Sequence, residues 1–456
     1  MILAVLVLAG ESRAQDTHYW THQYGTRSTL LGGAVIGSVV DVSATYYNPG
    51  ALALIEDPEL FLGTKIFDFT TVTVDNSLEE GTKLNSDDLK QAPSFFGGLL
   101  PFGFLGAHRL GYSFFTRQQF SVRVEGARVG TFDAIPRWPG LESFVGAALF
   151  DESLSETWFG LTWSHTLGRR AGIGISQYVA VRSQRGNFRL SGQALTANGD
   201  AAITLRASEY KYTNYRTLWK VGLSYDLDRL TFGLTVTTPS LNLFGSGSSG
   251  VNTTRFGQDI EDDGQTETLL AADFQEDVSS RYASPVSIAA GATVQFGSRA
   301  LHVSAEWFDK VSPFDVLALD DFQGQSSGEV LPHQLMHTLD AVLNVAVGIE
   351  QSFGERVSGY ASFATDFSGF VPEAGTDVGI SDWNLYHITG GTSFRVGRAA
   401  FTLGLGYAYG GETTRRQLSF VGASEANALL GEPTETELTY RRWKFIIGFE
   451  LDTRER

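Results

Sequence analysis

The feature that most constrains this chain is an alternation of apolar residues with small or polar ones, repeated in segments of about ten residues. Clear examples are "LTFGLTVTT" (230–238), "PVSIAAGATVQF" (285–296) and "AFTLGLGYAY" (400–409). This period of two predicts β-strands with one apolar face. The other face, rich in Thr and Gly, is too polar for a packed core. An apolar outside around a polar inside is typical of strands in a membrane-embedded barrel.

The number of such segments and the lengths of their connections agree with this interpretation. Short turns such as "LGRR" (167–170) and "FGER" (353–356) alternate with long polar stretches, including 241–282 and 410–438. Barrels of the outer membrane have short turns at one end and long loops at the other. We therefore predict an all-β fold, a transmembrane antiparallel β-barrel of about 14 strands. The predicted strands are centred near Ile66, Leu99, Tyr112, Leu161, Ile175, Leu218, Leu234, Ala290, Val303, Ala346, Ala361, Thr389, Leu405 and Phe445, with Trp158, Trp163, Trp307 and Trp443 among the aromatic residues expected at the membrane interfaces.

Charge and residue composition exclude several classes of function. The formal net charge of −17 argues against a nucleic-acid partner, because phosphate binding needs clustered Lys and Arg. The chain has no cysteine, so it has neither disulfides nor thiolate metal sites. The acidic stretch "DIEDDGQT" (259–266) begins like a calcium loop but has Leu270 where a bidentate Glu would stand, so a solvated loop is the expectation and loosely held calcium stays open. We predict no cofactor, no metal and no enzymatic activity.

The segment before the first strand predicts a plug for the barrel. Residues 1–14 have an apolar core followed by a small-residue cleavage pattern, which predicts a signal peptide. A barrel of fourteen strands is too wide for wall side chains to fill. Residues 15–57 contain Gly32, Gly33, Gly37 and the turn Asn48-Pro49-Gly50, which allow close packing and a reversal of direction. We expect these residues to form a plug, or hatch, inside a barrel formed by residues 58–456.

The plug sequence carries a resemblance to a known family. "LGGA" at 31–34 followed by "DVSATYYNPGAL" at 41–52 resembles the hatch of the FadL/TodX outer-membrane transporters, with Gly50 where that family usually has Ala. The segment from Tyr282 to Trp307 also resembles two strands of that family. The resemblance implies hatch roles for Asp41, Tyr47, Asn48, Pro49 and Gly50. It also implies ligand capture on extracellular loops, an internal pocket, and sideways release near the third strand.

A lateral gate is expected where the alternation fails, in the first three strands. Glycine and proline weaken or bulge a strand, and here they lie among apolar pairs on both faces. The gate residues we predict are Gly97, Gly98, Pro101 and Gly111. The alternative is that the plug simply packs against this part of the wall.

Two further groups of residues are predicted to bind the ligand. The spacing of Leu141, Phe144, Val145 and their neighbours predicts an amphipathic helix over 139–150, which would form a capture groove or pack against other loops. Inward-facing cations could bind a carboxylate, or could pair with Glu306, Glu350 and Asp366 across the lumen. The complete set of predicted ligand-binding residues is Phe96, Leu100, Phe115, Arg117, Trp138, Leu141, Phe144, Val145, Arg182 and Lys220.

The function that the resemblance implies is passive uptake of long-chain fatty acids or other hydrophobic molecules across a Gram-negative outer membrane, with hatch-gated lateral release. We expect a monomer whose surroundings include outer-membrane lipid and lipopolysaccharide. The alternative is a non-transporting FadL-like barrel that acts as a partner of a secretion system, of the PorV type. The sequence leaves open the identity and charge of the ligand, and whether the hatch is open at rest.

Overall fold

The computed structural model describes residues 17–55, 64–76, 78, 82–92, 95–100, 106–135, 138, 140–258, 265–371, 383–397, 399–416, 429–430 and 434–451. The predicted signal peptide and most of the acidic stretch, residues 259–264, lie outside these residues, as do Pro101 and Pro139. Among the described residues, no helix is long and apolar enough to cross a membrane.

The described residues are almost entirely β-structure, in twenty-one strands numbered in chain order. Their bounds are β1 Thr64–Asp75, β2 Lys83–Ala92, β3 Phe96–Leu100, β4 His108–Phe132, β5 Glu142–Leu167, β6 Ala171–Leu195, β7 Ala201–Asp226, β8 Leu230–Thr237, β9 Leu241–Gln258, β10 Glu267–Ser279, β11 Ser287–Phe296, β12 Arg299–Phe308, β13 Val311–Asp315, β14 Phe322–Gln323, β15 Val330–Leu331, β16 Met336–Leu339, β17 Val342–Phe353, β18 Val357–Asp366, β19 Leu385–Val396, β20 Ala399–Arg416 and β21 Thr434–Leu451.

One antiparallel sheet forms the wall of the molecule. Its ladders join β3, β4, β5, β6, β7, β8, β11, β12, β17, β18, β19, β20, β21, β1 and β2 in that order. The first and last members, β3 and β2, are consecutive in the chain and are separated only by residues 93–95. β2 and β3 are therefore two parts of one passage, meaning one crossing of the wall by the chain, and the sheet closes on itself. The backbone N–H of Arg123 in β4 also donates to Ser86 Oγ in β2 at 3.1 Å, which bridges this seam.

The wall has the predicted number of passages. β2 with β3, β8 with β9, and β10 with β11 are each one passage interrupted by a few residues; together with β1, β4–β7, β12 and β17–β21 they make fourteen. The predicted alternation is also present. Phe445 and Ile447 of the last strand are exposed on the outside, whereas Arg442 and Lys444 are buried inside. A closed sheet with an apolar exterior is typical of a transmembrane β-barrel, since closure lets the strands satisfy their backbone amides within the wall.

Several wall strands are much longer than the segments of about ten residues that the sequence predicted. β4 to β7 each contain 25 or 26 residues, whereas about 9–11 suffice to cross the hydrocarbon of a membrane. On β5 the outward side chains change from Phe159, Leu161 and Trp163 to Asp151 and Ser153. The upper half of these strands therefore stands outside the hydrocarbon, on the side of the long connections.

The helix predicted over 139–150 is wrong. Residues from Glu142 onward belong to β5, and their burial alternates with period two: Phe144 is buried, whereas Val145 is exposed. The small side chains Gly146, Ala147 and Ala148 allow either structure, and ladders to β4 and β6 on both sides decide for the strand. The stretch 241–282, predicted as a loop, likewise contains the hairpin β9–β10, which extends the wall.

The plug is present inside the barrel. Its short helical pieces are α1 (Thr26–Leu30), α2 (Ala44–Tyr47) and a 3-10 turn (Ala51–Leu54), joined by tight turns. Leu30, Leu31, Val35, Ala44 and Leu52 of this segment are nearly or completely buried. They are buried against the inner face of the wall, with which α1, α2 and the 3-10 turn are in contact.

Candidate ligand-binding site

Glycines of the wall accommodate the Asn-Pro-Gly turn of the plug. A Cβ atom added to Gly50 would lie 2.6 Å from the carbonyl oxygens of both Gly172 in β6 and Gly222 in β7. Any side chain on Gly222 would in turn overlap Asn48 and Pro49. The backbone of the plug therefore touches the backbone of the wall here, near the short-turn end of the barrel. This contact explains why glycine, not alanine, occupies position 50.

Asn48 fixes the same turn by hydrogen bonds. Its Nδ2 donates to Ile36 O within the plug and to Leu223 O of the wall, both at 3.0 Å, and its Oδ1 accepts from Gly50 N at 3.1 Å. The side chain is fully buried. Asn48 thus closes the turn and attaches it to the wall at one position.

The opposite end of the plug is held by two carboxylates of the wall. Asp366 accepts hydrogen bonds from Tyr19 N, Trp20 N and Thr21 Oγ1 at 3.0, 2.8 and 2.7 Å. Glu306 accepts from Trp20 Nε1 at 2.8 Å. These contacts anchor the plug close to the outer side of the membrane-spanning wall.

A third carboxylate binds the middle of the plug. Glu350 accepts from Arg27 Nε and Nη2 at 3.0 and 2.7 Å, and Arg27 Nη1 donates to Ser38 O. His302 Nδ1 lies 2.9 Å from Ser38 Oγ. The sequence had left Glu306, Glu350 and Asp366 to pair with cations of the opposite wall; within the described residues they bind the plug instead.

Between the plug and the wall lies a small cavity of about 50 Å³, which we call the central cavity. This volume holds a few water molecules, so a larger ligand requires movement of the surrounding segments. Its walls combine aromatic rings with a few charges. The lining residues include Tyr46 of the plug, Arg117 of β4, Glu156 and Trp158 of β5, Arg216 and Lys220 of β7, Tyr282, and Glu306 of β12.

The charges around the central cavity are unbalanced in favour of cations. Glu156 is held by Arg216 at 2.5 Å and by Arg182, which lies behind it, at 3.1 Å. Arg117 and Lys220 instead lie against the ring of Tyr46, 5.8 and 4.7 Å from its centroid. Arg117 Nη1, and Nε and Nη1 of Arg216, are buried without a hydrogen-bond acceptor among the described residues. A buried donor without an acceptor favours an anionic group supplied from outside.

A loop of residues 309–341, which we call the cap, covers the central cavity from the outer side. Leu339 of the cap lines the cavity, and His337 stacks on Tyr282 with ring centroids 5.3 Å apart. The ring of Tyr282 is also in contact with the guanidinium groups of Arg182 and Arg216, at 4.0 and 4.5 Å. The cap is therefore coupled to the cations of the cavity through one aromatic ring.

A hydrogen-bonded chain clasps the cap to the upper wall. His333 Nδ1 lies 2.8 Å from Asp273 Oδ2 in β10, and His333 Nε2 lies 2.9 Å from Ser249 Oγ in β9. Sequence reasoning missed this chain because its members come from three separate segments. All three residues have low exposure and Ser249 Oγ also contacts Glu209 O at 3.2 Å, which fits a structural clasp. His333 and His337 have different partners, and within the described part of the chain they belong to no group of three or more possible metal ligands.

Comparison with solved structures identifies the architecture. No protein-family model and no curated protein matches the sequence. A Pseudomonas aeruginosa FadL homologue matches with a TM-score of 0.61 at 13% identity, covering 96% of this chain and 100% of that one. The Pseudomonas putida toluene transporter TodX matches with a TM-score of 0.57 at 13% identity, covering 94% and 98%. The chain has the fold of the FadL and TodX channels.

The Ralstonia pickettii toluene transporter TbuX matches this FadL-type barrel in the same way, with a TM-score of 0.56, 11% identity, and coverage of 95% of this chain and 99% of that one. The likeness extends over almost the whole chain. The names of these structures describe toluene transporters and a FadL homologue.

The FadL-type barrel brings together only some of the residues predicted to bind a ligand. Arg117 and Lys220 line the central cavity and Arg182 lies behind it. Phe115 belongs to a buried aromatic cluster with plug residues Tyr24 and Tyr46. The cavity is also lined by Arg216, which alternation already places inward, and by Tyr46, Trp158 and Tyr282, which were not among the predicted ligand residues. Trp158, predicted at a membrane interface, faces inward because the outward row of β5 passes through Phe159.

The other predicted ligand residues lie elsewhere. Phe96 faces outward and is half exposed, so it does not line the cavity, and Leu100 is partly buried at the end of β3. Trp138 and Phe144 pack in an apolar cluster of the upper wall, while Leu141 and Val145 are exposed. No common groove formed by these four residues appears in the part of the chain that the structure describes.

The predicted gate residues lie where the second wall passage changes neighbours. β2 pairs with β1, whereas β3 pairs with β4, including Gly97 with Ser113 and Leu99 with Gly111. A Cβ atom on Gly111 would lie 3.1 Å from Leu52 and 3.2 Å from Thr45, so the plug packs directly against this part of the wall. Pro101 is outside the described residues.

Proposed function

We propose that this chain is an outer-membrane channel for passive uptake of a hydrophobic molecule with a carboxylate group, such as a long-chain fatty acid. The observation that carries the proposal is the central cavity, in which aromatic surfaces surround buried guanidinium donors without acceptors among the described residues. An acyl chain would contact Tyr46 and Trp158, and its carboxylate would accept from Arg117. The named transport of toluene by TodX and TbuX supports the hydrophobic part of the ligand but not its charge.

Release sideways into the membrane is the second part of the proposal. The plug packs against Gly111. Near this position the strand pairing changes, because β2 is hydrogen-bonded to β1 whereas β3 is hydrogen-bonded to β4. Withdrawal of Leu52 and Thr45 from Gly111 would open a path from the lumen to the wall. The packing that closes the gate and the packing that holds the plug are then the same contact.

The carboxylate is tested by binding of oleate and of oleyl alcohol to the purified protein, measured by calorimetry. A charge-assisted hydrogen bond contributes about 1.5–3 kcal/mol, so wild-type protein should bind oleate roughly 10- to 100-fold more tightly. Arg117→Gln should remove most of this difference. Arg123→Gln, on the exposed outer face of the same strand, is the matched control. Equal affinities in the wild type would refute carboxylate recognition.

Sideways release is tested by uptake of labelled oleate into cells. Gly111→Val should reduce uptake while leaving oleate binding to purified protein unchanged, because the added methyl groups press on Leu52 at the proposed exit. Gly390→Val is the control, since a Cβ there meets only Tyr360 O at 3.5 Å. Normal uptake by the Gly111 variant would reject this route while leaving the binding site in place.

A further inference from the structure

We propose that the short-turn end of the barrel binds anionic phospholipids through a ring of arginines placed beside lipid-facing apolar side chains. The ring, which we call the basic rim, consists of the turns at 167–170, 227–229, 296–299 and 353–356. Each turn pairs one apolar residue with arginine two or three positions later. The pairs are Leu167 with Arg169 and Arg170, Leu227 with Arg229, Phe296 with Arg299, and Phe353 with Arg356.

The apolar members of these pairs continue the lipid-facing rows of the wall. Leu167 follows Phe159, Leu161 and Trp163 on β5, and Phe353 follows Val347 and Ile349 on β17, each in the same period-two row. The exposed fractions of Leu167, Leu227, Phe296 and Phe353 are 49, 39, 61 and 65%. Exposed apolar side chains at the end of a lipid-facing row are suited to the acyl chains next to the headgroups.

The charge of the basic rim is opposite to that of the chain as a whole. The four turns contain five arginines, all exposed, and only two acidic residues, Asp228 and Glu355. The chain as a whole carries −17. Arg170 contacts Asp228 at 3.0 Å, which leaves the rim an excess of guanidinium groups. Guanidinium groups recognise phosphate by charge-assisted, often bidentate hydrogen bonds.

The distribution of the rim selects lipid as the occupant. The four turns connect β5 to β6, β7 to β8, β11 to β12 and β17 to β18, and so extend over most of the circumference. The sequence repeats the pattern at the β19–β20 turn, with Val396 followed by Arg398. A folded protein partner would cover one side of the rim. A ring of lipids contacts every turn at once and meets both the apolar and the cationic members of each pair.

The test uses the full-length protein in phosphatidylcholine bilayers with trace spin-labelled lipid, read by electron paramagnetic resonance. Spin-labelled phosphatidylglycerol should be held at the protein at least about threefold more strongly than spin-labelled phosphatidylcholine, and salt should weaken this preference. Replacing the five rim arginines with Gln should bring the ratio close to one. Replacing them with Lys should retain most of it. Arg123→Gln with Arg185→Gln, exposed on the upper outer wall, should leave the ratio unchanged.

A separate measurement tests whether the apolar side chains of the basic rim insert into the bilayer. The indole introduced by Phe353→Trp should be quenched by lipids brominated near the headgroup. Heat-dependent migration on gels reports whether each variant forms a barrel. A wild-type ratio of one, a ratio unchanged by the Gln variant, or fluorescence of the introduced indole that brominated lipid does not quench would overturn the proposal. Preference of the rim for an acidic protein over lipid would overturn it as well.

Discussion

Replacement of Asp366 by Ala should free the outer end of the plug. The carboxylate accepts hydrogen bonds from Tyr19 N, Trp20 N and Thr21 Oγ1. Each buried donor left without an acceptor costs about 1–3 kcal/mol, so the three together destabilise the docked state by roughly 3–9 kcal/mol. Water satisfies these donors when the segment leaves the wall, and the equilibrium therefore shifts toward the released plug.

Hydrogen exchange measures this shift directly. At the lower limit of about 3 kcal/mol, the amides of Tyr19 and Trp20 should exchange about 100-fold faster in the Asp366→Ala variant. Asp151→Ala is the matched control, because Asp151 lies on the outer face of the upper wall and contacts Arg123. Unchanged exchange of the plug amides, or the same acceleration in both variants, would show that Asp366 does not anchor the plug.

Three further predictions concern the Asn-Pro-Gly turn and the cap. Gly222→Leu should displace the turn and raise ion conductance in planar bilayers, whereas Gly390→Leu, where an added Cβ meets only Tyr360 O at 3.5 Å, should leave conductance low. His333→Ala should accelerate hydrogen exchange of cap residues 316–335 without altering exchange of the wall strands, because it removes the clasp to Asp273. Burial and the nearby arginines lower the pKa of His337 to about 3. The docked cap therefore binds fewer protons than the free cap between that value and about pH 6.5, and its stability falls by about 1.4 kcal/mol per pH unit as the pH drops through this window. The protection factors of the cap amides, which compare their exchange with the intrinsic rate at each pH, should fall accordingly between about pH 6.5 and 5, and a His337→Phe variant should lose this pH dependence.

Local alternation was sufficient to predict the wall. The outward rows through Phe232, Leu234, Phe445 and Ile447 follow from period two alone, since each strand presents alternate residues to lipid and lumen. Alternation did not predict how far strands continue beyond the membrane. Outside the hydrocarbon the outer face turns polar, and the segment around Phe144 then fits a helix or a strand until its neighbours are known.

The inward direction of Arg117, Lys220 and Arg216 was likewise predictable from alternation, but the partners of these residues were not. Three wall carboxylates were candidates for pairing with wall cations, but they bind the plug. Glu306 binds Trp20, Glu350 binds Arg27, and Asp366 binds Tyr19. Such contacts join positions hundreds of residues apart. Their choice depends on how the plug is oriented within the wall, which no local pattern encodes.

The sequence by itself determined that the chain forms a closed barrel around its own N-terminal segment, because lipid permits no unpaired sheet edge and a fourteen-stranded bore needs filling. Only the tertiary structure decided where the proposed ligand site lies. The central cavity exists because Tyr46 of the plug meets Arg117, Trp158 and Lys220 from separate strands. The three-dimensional packing also decides which donors in the cavity have no acceptor. Carboxylates that bind the plug are not available to accept hydrogen bonds from the cavity arginines.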